Sequence, residues 1–184
     1  MEIKDNPARN LRVRGTGDAR APFFTDQDEK RLLYALSQMS NKNHLRLTKL
    51  ALTTGFRRSE LLNLTWRNID LNKKLLYIHR KNCAATDNYS APRLIPLPNK
   101  AKKILEELSE RHGKIIDLTK GAARNGFVKA RKKAGLETLR FHDLRHIAIS
   151  RMWRSGMNAL EISAGSGHRD IKMLMRYSHY QLSF

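Results

Sequence analysis

The segment 140–146, Arg-Phe-His-Asp-Leu-Arg-His, carries the pair of side chains best suited to chemistry. His142 and Arg145 are three residues apart within an apolar repeat that predicts a helix, so both polar groups can lie on one face beside the core. An imidazole that can carry a proton, next to a fixed cation, suits an anionic substrate such as a phosphate. A helix with one satisfied histidine and one solvated arginine explains this pair equally well on its own.

A second candidate group lies in the segment 54–60, Thr-Gly-Phe-Arg-Arg-Ser-Glu, at a predicted junction between two helices. Gly55 permits a tight turn, and Arg57 begins the next helix, where backbone N–H groups also point outward. An arginine at this point can join those donors in holding an anion. Glu60 lies one turn later and could orient Arg57 or a neighbouring histidine. The alternative for this segment is a capped helix with a surface Arg–Glu pair.

The last candidate group lies late in the chain, where Gly167 closes a helix and His168 begins the next one. Tyr177 follows His168 by nine residues. A phenol with a pKa near ~10 is a poor nucleophile at neutral pH, so covalent chemistry at this tyrosine requires a nearby base and nearby cations. Four residues could supply them: His142, His168, Arg57 and Arg145. Taken alone, the tyrosine is better explained as a core or surface residue.

The spacing of His142 and His146 also permits a different chemistry, because two histidines four residues apart resemble the helical zinc motif H-E-x-x-H. Asp143 stands where that motif has its longer glutamate base, and Arg145 would place a cation beside the metal. A zinc hydrolase is therefore the weaker interpretation, and no metal is expected at these histidines.

The pattern around these groups predicts a mainly α fold with one small antiparallel β-hairpin. Before the hairpin, one helix follows a cap at Thr25, a second ends near Gly55, and a third begins at Arg57. The hairpin is predicted from strands at 75–79 and 94–97, joined by a long polar loop at 81–92. The later helices are predicted at about 99–112, 120–134, 141–155, 158–164 and 170–176. In the predicted helix 141–155, the stripe of residues that faces the core is predicted to be Phe141, Leu144, Ala148 and Met152.

Composition limits the class of protein. The chain has 184 residues, enough for one domain and a short appendage. Its 36 Lys and Arg against 17 Asp and Glu give a formal net charge of +19, which indicates a polyanionic partner. A membrane surface is disfavoured because no long apolar run and no clean basic amphipathic helix is visible. No signal peptide is visible and Cys83 is the single cysteine, so a cytoplasmic protein is expected.

Two basic segments are expected to contact nucleic acid phosphates. One is residues 1–22, a linker or arm with several arginines and little apolar periodicity, and the other is the helix at 120–134. The expected phosphate contacts in these segments are Arg9, Arg12, Arg14, Lys120, Arg124, Lys129, Arg131, Lys132 and Lys133, and Arg58, next to Arg57, is expected to add another. The alternative for the helical run is a solvated helix face.

The candidate groups, taken in order, resemble the catalytic domain of the tyrosine recombinase family, also called phage-type integrases. The resemblance runs from about residue 25 to residue 179. The segment 54–60 matches the box of the first arginine, 142–146 the His-x-x-Arg box, and 167–168 the Gly-His box. Tyr177, within Arg-Tyr-Ser-His, matches the nucleophile. One His-x-x-Arg is weak evidence, but four boxes in the same order are strong.

The resemblance implies a site-specific recombinase that cleaves and rejoins double-stranded DNA through a 3′-phosphotyrosyl link, without a cofactor. It assigns the nucleophile to Tyr177, the phosphate clamp to Arg57 and Arg145, the proton acceptor to His142, a phosphate hydrogen bond to His168, and the leaving-group acid to Lys81. Glu60, Asp143 and His146 are expected to support these residues. Loss of either arginine is expected to impair the reaction while leaving the fold intact.

The sequence also departs from the family pattern. Ser166 precedes Gly167 where many relatives have leucine, a difference expected to affect packing more than chemistry. Residues 23–184 are expected to form an isolated catalytic domain, because the family's N-terminal core-binding domain is absent and only seven residues follow Tyr177. A monomer is expected for this chain, and a homotetramer on nucleoid DNA for the full-length protein. A DNA-binding relative that does not cut is the main alternative, although every implied catalytic position holds a competent residue.

Overall fold

A computed structural model of the chain describes residues 24–78, 93–168 and 172–175, without the side chains of Met173 and Met175. The fold is mainly helical with one small antiparallel sheet, as predicted. Its elements are α1 Asp26–Ser37, α2 Asn43–Thr54, α3 Arg58–Leu62, a 3-10 turn Trp66–Asn68, β1 Ile69–Asp70, β2 Leu75–Ile78, β3 Arg93–Pro96, α4 Asn99–Glu106, α5 Lys120–Lys133, α6 Asp143–Arg154, α7 Ala159–Ser166 and α8 Lys172–Met175. None of the helices in the described ranges combines the length and the apolar character that crossing a membrane requires.

Local signals set the ends of the first two helices. Thr25 and Asp28 form a capping box, in which each residue's backbone N–H donates to the other's side chain at 2.9 and 3.1 Å. The carboxylate of Asp28 accepts hydrogen bonds from the Thr25 backbone N–H and from Arg31. These two bonds, the first being the larger cause, lower the pKa of Asp28 to about 2. The second helix, α2, ends at Gly55, whose φ of +66° is the left-handed conformation that glycine adopts without strain.

The sheet has three strands in the order β1-β2-β3, all antiparallel. The β2–β3 hairpin confirms the predicted strand pair, with Leu76 opposite Ile95 and Ile78 opposite Arg93. The short strand β1 was not predicted, because two residues carry too little alternation to be recognised. The predicted loop at 81–92 lies outside the described residues, as does His79.

Helix α2 lies at the centre of the core, where it packs against α1, α4, α5 and α6. The predicted stripe on α6 is only partly right: Leu144 and Ala148 are buried, whereas Phe141 and Met152 are partly exposed. Ile149 is also fully buried, because α6 is covered by α2 on one side and by α7 on another. A helix enclosed by two neighbours buries more than the single stripe that its sequence predicts.

The prediction of a helix at 99–112 was wrong at its C-terminal end, because α4 stops at Glu106. Beyond it, the chain turns and pairs with the segment before the 3-10 turn. The N–H of Trp66 donates to the carbonyl of Gly113 at 3.0 Å, and that of Ile115 donates to Leu64 at 3.0 Å. This pairing buries Ile115 and Ile116, a gain that outweighs the helical propensity of the charged residues after α4.

Candidate active site

Arg145 is the residue on which the candidate site converges. It extends from the first turn of α6 and is only 3% exposed. Its Nη1 donates to the carbonyls of Gly55 and Ser166, both at 2.7 Å, and its Nη2 lies 3.2 Å from Nε2 of His168. Three segments that are distant in sequence, 54–60, 142–146 and 166–168, therefore meet at one guanidinium.

The burial of this charge has a local electrostatic explanation. An unpaired cation in the core is costly unless hydrogen-bonded to acceptors. The carbonyls of Gly55 and Ser166 lie at the C-terminal ends of α2 and α7, where the helix dipoles concentrate negative partial charge. Arg145 is thus also part of the packing between helices. The expectation that its loss would leave the fold intact does not fit this burial.

Arg57 lies at the N-cap of α3, one residue before the helix begins. Its backbone N–H donates to Oε2 of Glu60 at 2.8 Å. Its half-exposed guanidinium has two long contacts, 3.4 Å to Oε1 of Glu60 and 3.5 Å to the carbonyl of Gly167. These contacts keep the guanidinium near the Gly167 turn. Because they are long and therefore weak, the guanidinium can still rotate towards a ligand.

Arg93 also lies at this site and was not among the predicted residues. It lies on β3, and its mostly buried guanidinium is 3.7 Å from Oε1 of Glu60 and 5.9 Å above the ring of Phe56. It also fills the space over Gly167, where a Cβ would overlap Nη1 of Arg93. The available signal was the strand alternation, because Arg93 shares a face with buried Ile95, and an arginine on the inner face of a strand usually has a partner.

His168 follows the Gly167 turn and is held at both its ring and its backbone. Its Nδ1 is 2.7 Å from the hydroxyl of Ser166, and its carbonyl accepts a hydrogen bond from the hydroxyl of Ser163 at 2.8 Å. The hydroxyl of Ser166 therefore contacts a predicted catalytic ring directly, in addition to packing in the core.

His142 is the N-cap of α6, and its ring packs edge to face on that of His146 with the centroids 4.9 Å apart. Partial desolvation of the ring and, second, the cationic Arg145 lower the pKa of His142, a shift that Arg57 adds to and Asp143 opposes. The shift favours the neutral imidazole, which can accept a proton. Asp143 itself accepts a hydrogen bond from the Arg140 N–H at 2.7 Å, which shapes the turn before α6.

A cationic groove of about 580 Å³ lies beside these residues, between the start of α3, helix α5 and the turn before α6. One wall is aromatic and consists of Phe127 and Phe141, whose rings pack edge to face with their centroids 5.1 Å apart. The guanidinium of Arg58 lies over the ring of Phe141. The cations that line the groove are Arg58, Lys120, Arg124, Arg131 and Arg140. Arg140 was not among the predicted phosphate contacts, and Arg131 already donates to the carbonyl of Leu139.

The remaining predicted residues fall into two sets. On α5, Lys129, Lys132 and Lys133 are exposed on the surface. Lys81, Tyr177 and the arm residues Arg9, Arg12 and Arg14 lie outside the described residues. Within the described ranges, no group of three or more His, Cys, Asp or Glu side chains is arranged to hold a metal ion.

Comparison with known proteins identifies the family. The sequence model of the phage integrase family matches residues 22–183. The chain is 34% identical over 182 residues to a shufflon-specific DNA recombinase of Escherichia coli, covering 96% of this chain and 44% of the relative. It is 30% identical over 151 residues to the integrase of Salmonella phage P22, covering 72% of this chain and 38% of the relative. The chain thus spans less than half the length of these two relatives.

A solved structure agrees with the sequence comparisons. The catalytic domain of bacteriophage HP1 integrase superposes with a TM-score of 0.67 at 25% identity, covering 86% of this chain and 87% of that domain. The family match includes each of the segments that meet at Arg145. From this order of motifs, the fold and the relatives, we conclude that the chain belongs to the phage integrase family.

Proposed function

We propose that this protein is a site-specific recombinase of the tyrosine recombinase type, which cleaves and rejoins double-stranded DNA through a 3′-phosphotyrosyl intermediate. The observation that carries the proposal is the convergence of residues 54–60, 142–146 and 166–168 on the buried guanidinium of Arg145. The name of the Escherichia coli relative, a shufflon-specific DNA recombinase, supports DNA as the substrate.

The phosphate clamp is assigned to Arg57 and Arg145. Arg145 is oriented by the carbonyls of Gly55 and Ser166, which hold Nη1 and leave Nη2 on the His168 side of the guanidinium. Arg57 is half-exposed and only weakly held, so it can close on a second oxygen. Two guanidiniums on the non-bridging oxygens, with Arg145 already fixed in place, stabilise the charge that builds on the phosphorane, which is usually the largest catalytic contribution.

The proton transfers are assigned to histidine and lysine side chains. Tyr177 attacks the phosphorus, its phenolic proton passes to neutral His142, and the 5′-oxygen leaves with a proton from Lys81. The phosphotyrosyl ester conserves the energy of the broken bond, so rejoining is the reverse attack by a 5′-hydroxyl. His168 hydrogen-bonds to the phosphate. Glu60, Asp143 and His146 support the reacting groups.

The DNA path is assigned to the cationic groove and to the exposed face of α5. Arg58 and Arg140 adjoin site residues in the chain, so phosphates next to the cleaved one would lie in the groove. The residues assigned to phosphate contact are Arg58, Lys120, Arg124, Lys129, Lys132, Lys133 and Arg140, with Arg9, Arg12 and Arg14 from the arm. Because Arg131 also holds the carbonyl of Leu139, we assign it a mainly structural role.

The organisation of the whole protein follows from this function. We propose that residues 1–22 form a basic linker and residues 23–184 the catalytic domain, that the 184 residues alone are a monomer, and that the full-length protein acts in the cytoplasm as a homotetramer on DNA. A DNA-binding relative that does not cleave is the second candidate, and the experiment below separates the two.

The test is covalent capture on nicked duplexes of random sequence, in which the fragment released by cleavage diffuses away and leaves the protein attached. The parental chain should give an adduct that survives denaturing electrophoresis and is insensitive to EDTA. Tyr177→Phe should bind DNA and form no adduct, whereas Tyr180→Phe, the matched control, should behave like the parent. An adduct lost only in Tyr180→Phe would move the nucleophile, and DNA binding without any parental adduct would favour the non-cleaving relative.

A further inference from the structure

The hydrogen bonds of Ser166 specify where its single hydroxyl proton lies. The side chain is fully buried, at 0% exposure, and its Oγ has two polar neighbours: the carbonyl of Ile162 at 2.5 Å and Nδ1 of His168 at 2.7 Å. A carbonyl can only accept, so the hydroxyl proton is directed to Ile162. The oxygen of Ser166 must then accept from His168, and Nδ1 of His168 must carry a hydrogen.

The tautomer leaves the other ring nitrogen as an acceptor. A neutral imidazole has one N–H, so a hydrogen on Nδ1 leaves a lone pair on Nε2. Nη2 of Arg145 lies 3.2 Å from Nε2 and 3.3 Å from Nδ1. An atom almost equidistant from both ring nitrogens lies over the face of the ring, outside the plane of their lone pairs. The guanidinium therefore packs on the ring without choosing between the tautomers, and the contact with Ser166 selects one.

The charges around His168 come from several elements. Arg145 on α6 contacts the ring directly. Arg57 and Arg93 contact the Gly167 turn next to it, and both share the carboxylate of Glu60. The pKa of His142, the N-cap of α6, responds to Arg145 and Arg57 as well. Guanidiniums from three elements thus lie at or next to the ring, together with the Glu60 carboxylate that two of them share.

Building on the proposed function, we propose that Ser166 is a positioning residue that fixes the Nδ1–H tautomer of His168. In this tautomer the neutral ring presents a lone pair at Nε2, next to the arginine of the phosphate clamp. His168 can then donate from Nε2 to the DNA phosphate only after it takes up a second proton. A leucine at position 166 has no acceptor, so this control depends on the serine of this chain.

The first test reads the tautomer without any reaction. In protein labelled with ¹⁵N in its histidine rings, with His168 assigned from His168→Gln, the parental ring at about pH 9 should show a protonated Nδ1 and a bare Nε2. Ser166→Ala should lose this preference. Ser150→Ala is the matched control, because Ser150 is also buried, at 7% exposure, and donates to the carbonyl four residues back, His146. A parental His168 protonated at Nε2 would overturn the proposal, even if the variants failed to fold.

The second test follows cleavage of the nicked duplexes as a function of pH. In Ser166→Ala the neutral ring can carry its hydrogen on Nε2, so the variant should be slower than the parent at about pH 6 and should recover as the pH rises. The ratio of variant to parental rate should increase by about ten-fold up to pH 9, with DNA affinity unchanged. Ser166→Thr, which keeps a hydroxyl, should restore the parental profile. A constant ratio would contradict the role of Ser166.

The two tests separate failure of this inference from failure of the proposed function. An Nδ1–H tautomer in a parent that never cleaves DNA would refute the recombinase and leave the Ser166–His168 contact standing. Cleavage by a parent whose His168 is protonated at Nε2 would refute the role of Ser166 and leave the recombinase standing.

Discussion

The two arginines of the proposed phosphate clamp differ in burial, and this difference separates their effects on catalysis from their effects on stability. Arg145 is bonded to the carbonyls of Gly55 and Ser166 inside the core, whereas Arg57 is half-exposed with contacts of 3.4 and 3.5 Å. Arg57→Ala should abolish cleavage and change the free energy of unfolding by less than about 0.5 kcal/mol. Arg145→Ala should abolish cleavage and also lower that free energy by about 2–4 kcal/mol, because two buried carbonyls lose their donor.

Denaturant unfolding and single-turnover adduct formation measure the two quantities on the same proteins. The lysine variants are the control, since a point charge restores charge without the two-pronged contact and should rescue cleavage poorly at both positions. Parental cleavage by both alanine variants would show that the proposed active site is wrong. Equal losses of stability would contradict the structural role of Arg145.

At the scale of elements, the contact between α2 and α5 depends on a notch, the space left by the missing side chain of Gly126 on α5. The ring of His44 on α2 occupies this notch, and a Cβ at Gly126 would overlap three atoms of that ring. Burial against α5 also lowers the pKa of His44. Gly126→Ala should therefore destabilise the parent by about 1–3 kcal/mol despite the better helix propensity of alanine. In a His44→Ala background, the same change should stabilise the protein by up to about 1 kcal/mol.

A double-mutant cycle measures this reversal of sign as a coupling free energy. Gly121→Ala, in the first turn of the same helix, is the matched control, because no atom comes closer to its added Cβ than the 4.0 Å of the Thr119 hydroxyl. It should have the same effect in both backgrounds. If Gly126→Ala were neutral in the parent, the His44 ring would be able to rotate away without cost, and the notch would not hold the two helices.

At the scale of the whole molecule, the net charge of +19 should make DNA binding steeply salt-dependent, and the slope should depend on where the charges lie. Lys129, Lys132 and Lys133 are exposed on α5, which lines the cationic groove. Replacing all three with glutamine should reduce the log–log slope of affinity against salt by up to about one unit per lost phosphate contact. Replacing Lys100, Lys102 and Lys103 on α4 removes the same charge and should leave the slope nearly unchanged.

Fluorescence anisotropy on one duplex at several salt concentrations provides the slopes. Equal reductions in the two triple variants would mean that α5 acts through net charge alone, and its lysines would then be a solvated face. Light scattering on the same samples tests the proposed monomer, and a stable tetramer of the 184 residues would overturn that part of the proposal.

The sequence by itself determined the features that depend on near neighbours along the chain. The cap at Thr25 and the helix ends at Gly55 and Gly167 involve residues within one turn of helix, so pattern alone predicted them. The order of the segments around Arg57, Arg145 and His168 was likewise enough to identify the family, since their residue types and sequence order are readable without a fold.

Only the tertiary structure decided the features that depend on residues far apart in the chain. The pairing of 113–115 with 64–66 shortened α4 against its own propensity. The contact of Arg93 with Glu60 and Gly167 joins three elements, and the burial of Arg145 requires the ends of two helices. Such contacts are set by packing between elements, whose positions no local spacing encodes.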